Sequence, residues 1–152
     1  MQFERHFPHR QLMKTLIFSL LAAIALPSIA CTFTSAESPD LLKIIDENGG
    51  YRVTEAQCLR MERKKLSLHV SGAGIAFKGV AVGWSEVRLV DSSTGITSSR
   101  YHNATHVNTE QSNQEVAKSM LFGAVTDAIA GLDFEAAAAE IEAQQPKQKS
   151  TK

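Results

Sequence analysis

What this sequence has least of is chemistry-bearing pattern. Only two cysteines occur among 152 residues, too few on their own to complete the four-ligand shell of a structural metal. Basic and acidic residues balance at 16 each, so no strong field draws nucleic acid or an anionic membrane surface. The Gly-x-Ser-x-Gly turn that exposes a hydrolase nucleophile is missing, since Ser71 has His69 two before it and Ala73 two after. Gly72-Ala73-Gly74 supplies two glycines of a dinucleotide fingerprint, but Phe77 stands where the third belongs. Strand-like residues follow it, so no helix N-terminus awaits a phosphate. Glu86, Asp91, Glu110 and Glu115 are scattered, with no spacing that pairs two carboxylates for acid–base work. No cofactor is expected.

Long apolar runs are equally scarce, and the single one is informative. Leu16 to Leu26 reads LIFSLLAAIAL, with Arg10 and Lys14 before it and Pro27-Ser28-Ile29-Ala30 after it. A basic flank, an apolar core, a helix breaker and small residues two apart are the parts of a secretory signal. At ~1.5 Å per residue the run falls short of the ~30 Å hydrocarbon core, so it is read as a signal and not as a membrane-spanning helix. Residues 1–30 are expected to be removed by cleavage before Cys31, with Met13 as an alternative start. Ile29-Ala30-Cys31 also resembles part of the lipobox of bacterial lipoproteins, whose cysteine becomes a lipidated first residue. That motif calls for a large aliphatic residue where Ser28 stands, so ordinary cleavage is the expectation and a lipid anchor through Cys31 the alternative.

Removing the leader takes away Arg5, Arg10, Lys14 and Glu4 and leaves 13 basic residues against 15 acidic. Residues 31–143 form one expected domain, and residues 144–152, QQPKQKSTK from Gln144, read as a disordered polar tail. In an oxidising compartment Cys31 and Cys58 are expected to bridge. The loop they close has 28 residues, a constraint of about 3.5 kcal/mol in chain-entropy terms.

Local signals place the elements. Ser38-Pro39-Asp40 opens a helix that Gly49-Gly50 ends. Thr54-Glu55-Ala56-Gln57 is a capping box for a second helix, ending in the basic run Arg63-Lys64-Lys65. With Arg60 this run is read as a solvated helix end. Leu66, Leu68 and Val70 alternate with polar residues as a strand, and His69 falls on its wet face. Gly72-Ala73-Gly74 is expected to turn the chain into a strand from Ile75 to Gly83, and Trp84 to Val90 gives a third. Asp91 to Gly95 reads as a hairpin connection to a polar edge strand from Ile96 to Asn108. There Tyr101, Thr105 and Val107 lie on one face and Arg100, His102 and His106 on the other. Ser112-Asn113-Gln114-Glu115 reads as a second capping box, before a helix carrying Leu121, Val125, Ala128 and Leu132. Phe134 to Ala143 continues as an alanine-rich helix. The order predicts a two-layer α+β domain, an antiparallel sheet of three to four strands packed by N-terminal and C-terminal helices.

His102 and His106 have the four-residue spacing of zinc ligands on a helix. On a strand that spacing spans about 13 Å and separates them beyond a shared ion. The reading that remains is an exported, periplasmic or secreted, non-enzymatic module that binds a protein or a cell-envelope component. Its expected interaction surface is Tyr101, Val107, Arg100, His102, His106 and Trp84. The alternative from another class is a small envelope hydrolase using His69.

Overall fold

The computed structural model describes residues 35–145. The expected leader, Cys31 and the polar segment from residue 146 lie outside the described residues. Within them the chain is α+β, with four helices and three long antiparallel strands.

Strand β1 (Ser35–Ala36) pairs in parallel with Leu68 and His69, near the start of β2. Ser35 Oγ donates to Glu37 at 2.6 Å, and the Tyr51 hydroxyl donates to the other oxygen of the same carboxylate. Burial, then that hydrogen bond, pushes the Tyr51 phenol far above its ordinary range. Helix α1 (Pro39–Glu47) begins where sequence signals put it, with Ser38 Oγ accepting from the Leu41 N–H at 3.3 Å. Its Leu41 and Ile45, one turn apart, are buried. Helix α2 (Glu55–Lys64) has both halves of its capping box. The Thr54 N–H donates to Gln57 Oε1 at 2.8 Å and the Gln57 N–H to Thr54 Oγ1 at 3.2 Å. Tyr51 to Val53 enters it without forming a strand.

The main hairpin is longer than the sequence reading had it. Strand β2 (Leu66–Phe77) runs straight through Gly72-Ala73-Gly74, and β3 (Val80–Asp91) runs straight through Gly83-Trp84. The chain turns at Lys78-Gly79, whose φ values of 36° and 89° are both positive, as a two-residue type I′ hairpin loop demands. The expected turn at Gly72–Gly74 is therefore corrected: those glycines serve packing. A Cβ on Gly74 would come 2.6 Å from the Ala117 carbonyl oxygen, and one on Gly83 would come 2.0 Å from the Leu121 nitrogen. Glycine in a strand marks close approach of another backbone as often as a bend, and here the backbone is that of helix α3 (Gln114–Gly131).

Asp91 to Gly95 connects β3 to β4 (Thr97–Asn108), the last strand in the order β1-β2-β3-β4. The register is irregular between Arg88 and Val90. The buried Asp91 carboxylate organises the connection, accepting from the Ser93 N–H at 2.7 Å, the Ser93 hydroxyl at 2.6 Å and the Thr94 N–H at 2.9 Å. Helix α3 is capped by Asn113, whose Oδ1 accepts from the Val116 N–H at 2.9 Å. This corrects the expected box at Ser112. The Ser112 hydroxyl instead accepts from the Gly79 N–H at 3.1 Å and ties the hairpin tip to the helix start. Helix α4 (Phe134–Gln144), capped by Asp133, takes in Gln144 from the polar segment, and Gln145 Nε2 donates to Asp91 at 2.6 Å.

All four helices contribute to one core, on one side of the sheet. Leu68, Val70, Val87 and Leu89 from the strands meet Leu121, Val125 and Ile129 of α3, Phe134 and Ile141 of α4, and Leu41, Ile45 and Met61 of α1 and α2. Each such side chain contributes about 1.5–3 kcal/mol on burial. Arg60 to Glu135 (3.0 Å) and Lys64 to Glu142 (2.5 Å) join α2 to α4. The basic cluster is thus partly neutralised within the fold.

Candidate functional site

Strand alternation fixes what lies on the other side of the sheet. Cross-strand partners share a face, so the register places Phe77 with Val80, Ile75 with Val82 and Val107, and Ala73 with Trp84 and Thr105. Next come Ser71 with Glu86 and Asn103, then His69 with Arg88 and Tyr101. None of these positions belongs to the core under the helices. Phe77, Trp84 and Tyr101 remain 66%, 42% and 53% exposed, and Ile75 and Val107 are likewise exposed.

The three aromatics are regularly placed. Phe77 is level with Val80, Trp84 lies four residues further along β3, and Tyr101 is level with Arg88, four further again. At ~3.4 Å per residue and ~4.8 Å between strands, they form a diagonal with steps of roughly 14 Å. Each long strand supplies one. The end near the β2–β3 turn is apolar, through Ile75, Phe77, Val80, Val82 and Val107. The far end is polar. There Arg88 pairs with Glu86 and lies 5.5 Å from the centre of the Tyr101 ring.

The expected interaction residues divide between the two sides of the sheet. Trp84, Tyr101 and Val107 stand on the open face. His102 and His106 are turned toward the helices, opposite Val87 and Gly83, and pack against glycines of α3. A Cβ on Gly123 would come 2.9 Å from His106 Nδ1, and one on Gly131 would come 2.3 Å from His102 Nε2. Four residues of strand rise about 13 Å and eight residues of helix about 12 Å, so histidines four apart and glycines eight apart stay in step. Asp127, midway between those glycines, bonds His106 Nε2 at 2.8 Å. Arg100 is exposed near the irregular start of β4, its N–H donating to Ser98 Oγ at 3.0 Å.

Other candidate chemistry does not converge. His69 is exposed on the open face and its imidazole makes no hydrogen bond among the described residues, while Glu86 beside it is engaged by Arg88. Groups of three or more histidine, cysteine or acidic residues able to hold a metal are absent among the described residues. Cys58 is buried in α2, and its expected partner Cys31 lies outside the described residues. A groove of about 440 Å³ between α1, β2 and α3 is lined by Leu41, Ile44, Gly72, Gly74, Gln114 and Lys118. Two of its polar groups are already occupied, with Gln114 donating to the Gly74 carbonyl at 3.3 Å and Lys118 bonded to Glu115 at 2.8 Å.

Two carboxylates titrate abnormally, and both serve structure. The Ser93 hydroxyl, then backbone N–H groups of Ser93 and Thr94, hold Asp91 down to about 2 against the opposing effect of burial. Hydrogen bonds from Ser99 and Ser98 hold Glu140 down to about 2. Glu140 thereby pins the start of β4, accepting from the Ser98 hydroxyl at 2.8 Å and the Ser99 N–H at 3.0 Å. That leaves the rest of β4 as the open edge of the sheet.

Sequence reasoning assigned Tyr101, Thr105 and Val107 to one face of their strand, but it gave no role to Phe77 or Ile75. The signal was present: Ile75, Phe77, Val80 and Val82 keep one parity across a two-residue turn. It became readable once the turn was placed at Lys78-Gly79. The chain matches no protein-family model, no curated protein and no solved structure. No helix among the described residues is long and apolar enough to cross a membrane.

Proposed function

We propose that this chain is an exported, non-enzymatic binding module whose working surface is the open face of its sheet together with the outer edge of β4. One observation carries the reading: every aromatic side chain of the three long strands, Phe77, Trp84 and Tyr101, points away from the core and into solvent. Exposed aromatics gathered on one surface mark an interaction site, because they supply large contact area at low entropic cost. The open edge of β4 adds backbone groups that a partner strand could pair.

Export rests on the leader, with cleavage before Cys31 placing the domain in the periplasm or outside the cell. In that compartment Cys31 and Cys58 form the bridge that fixes the N-terminus to α2. Intact mass of the exported protein, with and without reductant, tests this. The expected mass begins at Cys31 and rises by two hydrogens on reduction. A chain retaining residues 1–30 with both thiols reduced removes the compartment, and a diacyl increment on Cys31 replaces the bridge with a lipid anchor.

The binding reading is tested by crosslinking in the intact envelope. Tyr101→Glu and Val107→Pro are expected to abolish the crosslinked complex while leaving the circular dichroism spectrum of the domain unchanged. A complex that forms equally well with both variants refutes the reading.

A further inference from the structure

The partner on this face can be named more closely. We infer that the open face is self-complementary and that its occupant is a second copy of the chain, stacked sheet on sheet with the helices outside. This rests on the binding-face reading above and adds its partner.

Area is the first argument. Three strands of 12 residues, ~4.8 Å apart and rising ~3.4 Å per residue, make a face of about 14 by 40 Å. Two such faces bury about 1,100 Å², just above the ~1,000 Å² that a biological interface should clear. Sheets commonly pack this way, about 10 Å apart face to face.

Charge is the second. An isologous contact brings each charge to its own image, so a face with net charge repels itself. Here the acidic and basic groups on the strands of the open face are Glu86 and Arg88, already paired with each other. The one further charge at the face is Lys78 of the turn, 5.2 Å from the centre of its own Phe77 ring at the rim, so the middle of the face has no net charge to repel a copy.

The gradient of polarity along the strands fixes the symmetry. Apolar residues gather at the β2–β3 turn end and polar residues at the other end. A two-fold axis across the strands would lay Phe77 on the partner's His69 end and bury polar groups against apolar ones. A two-fold axis along β3 keeps levels matched and exchanges β2 with β4. Ile75 of each copy then lies over Val107 of the other, Phe77 lies just beyond, past the end of the partner's β4, and Tyr101 lies over His69. On the axis Glu86 and Arg88 each meet their own image, so each Arg88 must reach diagonally to the second copy's Glu86 as well as to its own. Trp84, on the middle strand and midway along the diagonal, comes to the centre of the contact, where binding energy concentrates.

Trp84 is the only tryptophan in the chain, so its emission reports the contact directly. Sedimentation equilibrium of the exported protein from micromolar to millimolar concentration should show a monomer–dimer equilibrium. Trp84 emission should shift to the blue and lose acrylamide quenching over the same range. Ile75→Lys and Val107→Glu should each weaken association at least about 30-fold with unchanged circular dichroism. An equimolar mixture of the two should recover dimers, because position 75 of one copy faces position 107 of the other. A wild-type protein that stays monomeric with Trp84 open to quencher overturns the inference, and so does a mixture that never re-forms dimers. If the wild type is monomeric yet the envelope complex still disappears with Tyr101→Glu, only the second copy is lost. If neither responds, the binding face falls with it.

Discussion

The two faces of this sheet are built from alternate residues of the same three strands, yet their size distributions are inverted. Beneath α3 the strands present Gly72, Gly74, Ala81, Gly83, Ser85 and Ala104; on the open side the same stretch presents Ile75, Phe77, Val82, Trp84 and Val107. Bulk stands where water is. The covered layer gains density there by bringing the helix backbone down onto the sheet, while larger aliphatics such as Leu68 and Leu89 fill the other half of the core. Fold stability and surface function are thus assigned to opposite parities of one sequence. Neighbouring positions should therefore respond oppositely to the same kind of change.

Gly83 and Trp84 make the sharpest pair. Gly83→Ala puts a methyl group 2.0 Å from the Leu121 nitrogen, an obstacle of backbone that no side-chain rotation relieves. The expected cost is about 3 kcal/mol, at the upper end for overpacking. Trp84→Ala removes a far larger group from the open side and should cost under about 1 kcal/mol. Urea midpoints at low micromolar protein, with unchanged m-values, measure both. Equal losses at the two positions would break the comparison.

Asp91 tests the covered side from its polar end, where the carboxylate is buried but fully engaged. Asp91→Ala leaves the Ser93 and Thr94 N–H groups and Gln145 without their acceptor and should cost about 2 kcal/mol. The pH dependence has a definite sign. The folded carboxyl is held at about 2, below the ~3.9 of an unfolded aspartate. Its contribution is therefore complete above pH ~4 and lost as pH falls through about 2. Thermal unfolding at pH 6, 4 and 2.5 should show the difference between wild type and Asp91→Asn shrinking as pH falls. A difference that stays constant removes the carboxylate from the account.

How much of this was legible in the chain depends on how local each signal was. The start of α1 at Ser38-Pro39 and the capping box of Thr54 and Gln57 were read correctly, because each involves residues within one turn of one another. Strand parity was readable for β4, where Tyr101 and Val107 do share a face. The turn was misread at Gly72–Gly74 because glycine carries two meanings in a strand, and only the partner helix, some forty residues later, decides between them. Ser112 looked like the cap of α3 because Glu115 follows at the right spacing. The box lost to Asn113, which caps the helix while Ser112 bonds Gly79 from the hairpin tip. His102 and His106 do lie on a strand, but their seats on Gly131 and Gly123 depend on the helix and strand rises matching across two distant segments. The candidate face needed the corrected register before its diagonal of aromatics could be drawn.

Smaller effects sharpen the contrast further. Ser85 is buried on the covered side with no hydrogen-bond partner for its hydroxyl among the described residues. Replacing a buried, unpartnered hydroxyl with hydrogen removes a desolvation cost, so Ser85→Ala should raise stability by about 0.5–1 kcal/mol. Calorimetry reads this as a higher Tm, and a lower one would mean that the hydroxyl is satisfied in solution.

Val107 is the limiting case. It lies on the outer strand, 57% exposed, one residue from His106, which packs against α3 and bonds Asp127 at 2.8 Å. Val107→Thr keeps the branched shape that suits a strand and exchanges one methyl for a hydroxyl that water can solvate. In the isolated monomer it should change stability by less than about 0.5 kcal/mol, as measured by urea denaturation at low micromolar concentration. At high concentration the same substitution removes an apolar contact between copies, so the midpoint of the wild type should rise with concentration more steeply than that of the variant. A cost above about 1.5 kcal/mol at low concentration would mean that Val107 is already covered within one chain, leaving the two parities of the sheet no longer distinct in role.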